Sequence, residues 1–173
     1  LAALDRSGSV LPILCAMAVH ELAHVVMMLA CGGQVRRLTL RFADLQIAAS
    51  GLGYRQELLS ALAGPLVNLI CGAAFCMQRP SFAAYSLMLG IYNLLPVWPL
   101  DGGRMIRCVL LARLPITQAE HISEIVSFAA CAVLLLIGVF LTFFRKSGLW
   151  PLGTAAYLTV RLLMLARRTD TVQ

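Results

Sequence analysis

Leu14-Cys15-Ala16-Met17-Ala18-Val19-His20-Glu21-Leu22-Ala23-His24-Val25-Val26-Met27-Met28-Leu29-Ala30 is the stretch on which the reading of the whole chain turns. Its centre has the pattern H-E-x-x-H. On an α-helix, residues four apart share a face, so His20 and His24 can reach one metal ion. Glu21 points to another side and is free to handle a proton rather than bind the metal. Both flanks are apolar. A helix this long and this greasy suits a bilayer better than a soluble core.

The composition agrees. Apolar residues make up 60% of the 173 residues and charged ones only 13%, and the mean hydropathy is +0.85. Soluble domains are about half apolar and about a quarter charged. The length suits one domain. The start at Leu1 rather than Met fits a fragment or a processed form. The formal charge of +6 is spread between apolar stretches instead of being gathered on one face with aromatics. That excludes a nucleic-acid-binding reading and makes charge a guide to topology.

Apolar stretches run roughly over Val10–Ala30, Leu58–Met77, Phe82–Leu95, Ile125–Phe144 and Leu149–Ala166. All but Phe82–Leu95 approach the roughly 20 residues that a spanning helix needs. The short one is expected to be completed by the Pro-rich segment after it, buried in protein. Alternate loops then collect Arg36, Arg37, Arg41 and Arg55, then Arg104, Arg107 and Arg113, then Arg167 and Arg168. The opposite side receives Arg6, Arg79, Arg145 and Lys146. The positive-inside rule places the first group in the cytosol and Leu1 outside.

Ionisable residues inside a bilayer are functional suspects. A lone His is more often a hydrogen-bonded structural residue. The full motif arises by chance in on the order of one in several hundred chains of this length. A catalytic zinc site has three protein ligands and an open position, so one ligand is still to be found. Asp101 is the best candidate, in Asn93-Leu94-Leu95-Pro96-Val97-Trp98-Pro99-Leu100-Asp101-Gly102-Gly103-Arg104. Pro96 and Pro99 stop a helix, and Gly102 and Gly103 permit turns closed to other residues. A broken helix with a new start near Arg104 is expected. The competing role for Asp101 is the N-cap of that new helix. Downstream of H-E-x-x-H the ligand reading is preferred, and one carboxylate can serve both roles.

The chain resembles the site-2 protease family of intramembrane metalloproteases. H-E-x-x-H in a membrane helix is followed by Gly64-Pro65-Leu66-Val67-Asn68 and then by the N-x-x-P-x-x-P-x-D-G segment, in the family's order, over residues 20 to 104. The wording from Asn93 to Gly103, with Leu114-Pro115 and Gln118-Ala119-Glu120-His121 ahead of a long apolar helix, is similar to the stage IV sporulation protein FB branch. The resemblance implies an all-α polytopic membrane protein. Its helical bundle has a three-helix metalloprotease core and a small membrane-associated β element. One transmembrane domain is expected over 1–173, with the core at about 10–107 and additional helices at about 116–168. Zn2+ would be held by His20, His24 and Asp101, with Glu21 as general base. The branch also has an earlier span and a nucleotide-sensing CBS domain, which these residues do not include, so ATP-linked regulation is not expected from them. No PDZ-like insertion lies between the spans, unlike the envelope-stress branch.

The implied function is an intramembrane zinc endopeptidase acting on a membrane-associated regulatory protein. The sporulation branch points to a pro-sigma factor as substrate, membrane-bound inhibitory proteins as partners, and a bacterial cell membrane or forespore-surrounding membrane as location. The active site would face the cytosol. The alternatives are a housekeeping protease with an unrelated substrate and a non-enzymatic metal-binding membrane protein. Glu21 speaks against the last, since metal binding alone does not need a base. Asn68 either contacts substrate or joins helices. Asn93 either holds the broken segment or contacts substrate. Arg37–Phe42 and Asp44–Ile47 alternate polar and apolar residues, a strand signal with a turn at Ala43. That predicts a surface hairpin or an edge for an unwound substrate. The six cysteines show no metal-type spacing and read as buried free thiols. His121, beside Glu120 and Glu124, reads as solvated or capping.

Overall fold

In the computed structural model the described residues are 8–41, 44–50, 52–144 and 149–170, of which 34–41, 44–50, Trp150 and 165–170 are described as backbone only. The expected turn at Ala43 and the basic residues Arg6, Arg145 and Lys146 lie outside them. The chain divides into two compact units, Leu1–Leu94 and Leu95–Gln173.

The first unit contains α1 (Val10–Ala30), strands β1 (Gln34–Arg41) and β2 (Asp44–Ser50), α2 (Tyr54–Ala74) and α3 (Pro80–Asn93). The buried residues of α1 are Ala16, His20, His24 and Met28, one stripe at four-residue spacing. The outer positions Leu11, Leu14, Leu22, Val26 and Leu29 are exposed, as a lipid-facing surface would be. The matching stripe on α2 is Ser60, Gly64, Asn68 and Gly72. Small residues let two backbones approach closely, which is how helices associate where lipid removes the hydrophobic drive. Gly72 and Gly90 serve the α2–α3 contact in the same way: an added Cβ would press on Leu87 and Ala83 O at the first, and on Pro65 O and Leu69 at the second. The strands pair antiparallel from Gln34 opposite Ser50 to Arg41 opposite Asp44, with an irregularity between Val35 and Arg37.

The second unit contains α4 (Asp101–Leu111), α5 (Ile116–Phe143) and α6 (Trp150–Asp170). The Pro-rich segment before α4 is tied to α5: Trp98 N–H donates to Ser127 Oγ at 3.1 Å, and Ser127 Oγ donates to Ser123 O at 2.9 Å. Arg107 lies 5.7 Å over the Trp98 ring and pairs with Glu120 at 2.9 Å.

One expectation about the helices needs correcting. The new helix starts at Asp101 rather than near Arg104, with extended Leu100 as its N-cap. Gly102 and Gly103 are therefore helical. Gly103 is needed for proximity: a Cβ there would fall under 3.0 Å from the backbone of Val97 and Trp98. Among the described residues α1, α2 and α5 are the helices long and apolar enough to cross a membrane. The apolar stretch read at 149–166 falls within α6 but for Leu149. The 14-residue α3 is, as expected, short for a span, at about 21 Å. The cysteines are free, but Cys15 and Cys76 are exposed and only Cys108 and Cys131 are fully buried.

Candidate metal centre

His20 and His24 are buried side by side on α1, with Nε2 atoms 3.1 Å apart and rings edge to face at 4.7 Å. His24 Nδ1 is 2.6 Å from Ser60 O. A carbonyl only accepts, so the Nδ1 proton is fixed there and Nε2 of the neutral ring carries a lone pair. Ser60 Oγ donates to His24 O at 3.3 Å, a second tie between α1 and α2. His20 Nδ1 is 3.3 Å from Asn68 Nδ2.

The donor set fits zinc. Two nitrogens about 2.0–2.1 Å from a tetrahedral zinc stand roughly 3.3 Å apart, close to the observed separation. The space is also shaped for the two rings. A Cβ at Gly64 would come under 3.0 Å from His24 Nε2 and His20 Cε1. Only glycine lets α2 pass this close to both histidines.

Asp101, the first residue of α4, is buried, with Gly102 and Gly103 buried beside it. It occupies the first helical position rather than the N-cap. An acid there still complements the helix dipole. Arg104 Nη1 lies 3.4 Å from its Oδ1. His20, His24 and Asp101 are each buried, and each offers a ligand atom of a kind that could hold a metal. Glu21 is half-buried on α1. Asn93 is half-buried and donates from Nδ2 to Leu89 O at 3.0 Å. Asn68 is fully buried. His121 is exposed.

Sequence reasoning did not single out Ser60. Its main-chain oxygen makes the decisive contact, so no side-chain identity could advertise it. The available signal was the four-residue spacing from Ser60 to Gly72, which mirrors that from Ala16 to Met28.

The fold and this site define a polytopic membrane protein with a buried zinc-type ligand set between apolar helices. Comparison with known proteins agrees. Residues 79–137 match peptidase family M50. The chain is 25% identical over 136 residues to a zinc metalloprotease of Methanocaldococcus jannaschii, covering 71% of this chain and 40% of that protein. It is 27% identical over 148 residues to stage IV sporulation protein FB of Bacillus subtilis, covering 78% and 50%. The site-2 protease structure from Methanocaldococcus jannaschii superposes with a TM-score of 0.68 at 20% identity, covering 89% of this chain and 75% of that one, a likeness of fold. The chain is therefore similar to zinc metalloproteases and, over residues 79–137, to peptidase family M50, and zinc is the metal this similarity implies. It spans half or less of the length of these two curated relatives.

Proposed function

We propose that this chain is the catalytic domain of an intramembrane zinc endopeptidase, one domain over 1–173, that hydrolyses a peptide bond in a membrane-associated regulatory protein. The observation that carries the reading is the pair of buried histidine Nε2 atoms 3.1 Å apart on a helix of bilayer length, with Glu21 next to one of them. His20, His24 and Asp101 are the ligands. Zinc held by them supplies Lewis-acid activation of water and of the scissile carbonyl. Glu21 takes the proton from the attacking water and delivers it to the leaving amine. The apolar surroundings strengthen each of these charge interactions.

The hydrogen bonds of Asn68 and Asn93 support scaffolding roles ahead of substrate contact: Asn93 ties off the last turn of α3, and Asn68 meets His20. The β1–β2 pair offers strand edges on which an unwound substrate segment can add, exposing a peptide bond that a helix shields. The basic-residue asymmetry supports a cytosol-facing site. The likeness to stage IV sporulation protein FB supports a pro-sigma factor as substrate and membrane-bound inhibitory proteins as partners. The comparable likeness to an archaeal zinc metalloprotease favours a second reading, a housekeeping protease with an unrelated substrate.

The test is Glu21→Gln in the purified chain. Glutamine can neither take nor give the proton, so the variant keeps its zinc and loses cleavage of a membrane-protein substrate. Undiminished cleavage would remove the general-base assignment, and a parent chain without zinc would remove the enzyme reading.

A further inference from the structure

Asn68 has a feature that helix packing does not explain. Its side-chain Oδ1 is buried and has no hydrogen-bond partner among the described residues, while its Nδ2 is aimed at His20 Nδ1. If Asn68 only joined helices, a leucine of similar volume would do as well, since an unpaired buried amide oxygen is a liability.

The orientation matters because an amide nitrogen only donates. With Nδ2 towards His20, the ring must accept at Nδ1 and carry its proton on Nε2. That Nε2–H then points at the Nε2 lone pair of His24, 3.1 Å away. The arrangement is self-consistent but closed to a metal, because a proton fills the place of the ion. Half a turn about the Asn68 Cβ–Cγ bond exchanges the two amide atoms, which have nearly the same shape. Oδ1 then accepts the Nδ1–H of His20, and both Nε2 lone pairs face the same point. His20 would be held by a side-chain oxygen of α2 as His24 is held by Ser60 O.

We infer that Asn68 is the positioning residue of His20: with its oxygen turned to Nδ1, it fixes the tautomer that presents Nε2 and so sets the metal affinity. The inference rests on the proposed metal site. It differs from a substrate-binding role because its effect appears with no substrate present. Partners of this kind behind a metal-bound imidazole fix ring orientation and raise ligand basicity, and their removal costs about 10–100-fold in affinity or activity.

The experiment is zinc competition against a chromophoric chelator, using the whole purified chain stripped of metal. Parent, Asn68→Leu, Asn68→Asp and His20→Ala are compared, and the Co2+ ligand-field spectrum is recorded for each. Asn68→Leu should bind zinc about 10–100-fold more weakly with an altered Co2+ spectrum. Asn68→Asp, which keeps the acceptor, should bind at least as tightly as the parent. Parental affinity in Asn68→Leu overturns the inference while leaving the metal site standing. So does Asn68→Asp binding more weakly than the parent, and this second arm decides if the leucine variant does not fold. A parent whose affinity is indifferent to His20→Ala overturns the metal site itself and the inference with it.

Discussion

Replacing Gly64 by alanine adds one methyl group in the middle of α2, where most helices would welcome it. Alanine is favoured over glycine in a helix interior by about 1 kcal/mol. Here the added Cβ would fall under 3.0 Å from His24 Nε2 and His20 Cε1, where relaxed carbon contacts need about 3.5–4.0 Å. The rings or the helix must yield by roughly 1 Å, several times the tolerance of about 0.2 Å on metal–ligand distances. Overpacking of this kind costs about 1–3 kcal/mol. Set against the helix gain, the fold loses between about zero and 2 kcal/mol. The zinc site receives no such compensation. If the rings absorb the displacement, its affinity falls by about 5–150-fold, at 1.36 kcal/mol per tenfold. Chelator competition together with thermal unfolding in detergent separates the two effects. Gly153→Ala is the control, because a Cβ there meets nothing within 4 Å among the described residues. It should leave zinc affinity unchanged. Gly64→Ala with parental zinc affinity would refute the view that the histidines occupy the space this glycine leaves.

Asp101→Ala should lower zinc affinity and abolish cleavage, whereas loss of a first-turn acid alone would cost about 0.3–1 kcal/mol of stability; normal metal content and activity would leave only the dipole role. Single cysteines placed in the segment from Arg36 to Arg55 and in the C-terminal tail should resist impermeant thiol reagents in intact cells, and labelling of both from outside would reverse the topology.

Hydropathy revealed what is uniformly apolar and little else. The bounds read for α1 are those found, because apolar residues fill that helix to both ends around the motif. Helix α2 starts at Tyr54 rather than Leu58 because its first turn, Tyr54-Arg55-Gln56-Glu57, is too polar to register. Helix α5 starts at Ile116 rather than Ile125 for a related reason. Its first turns carry Gln118, Glu120, His121 and Glu124 and are amphipathic, with Ala119 and Ser123 buried. Gly102 and Gly103 misled because glycine has two uses. The second, close approach of main chains, depends on what folds back against it and is invisible in one dimension. The motif histidines were legible as a pair from spacing alone. The groups that orient them were not, since Ser60 acts through its carbonyl and Asn68 through a contact between helices 48 residues apart in sequence.

Both histidines stand on α1, yet the oxygen that fixes His24 and the glycine that makes room for the rings belong to α2. Neither helix carries a competent site by itself. A metal that binds only the docked pair pulls the pairing equilibrium toward assembly, by RT ln(1 + [metal]/Kd). In a bilayer, where α1 and α2 can each persist as separate helices, that makes zinc a clasp on their association as well as a reagent, and starving the membrane of zinc would loosen the bundle as well as stop the chemistry.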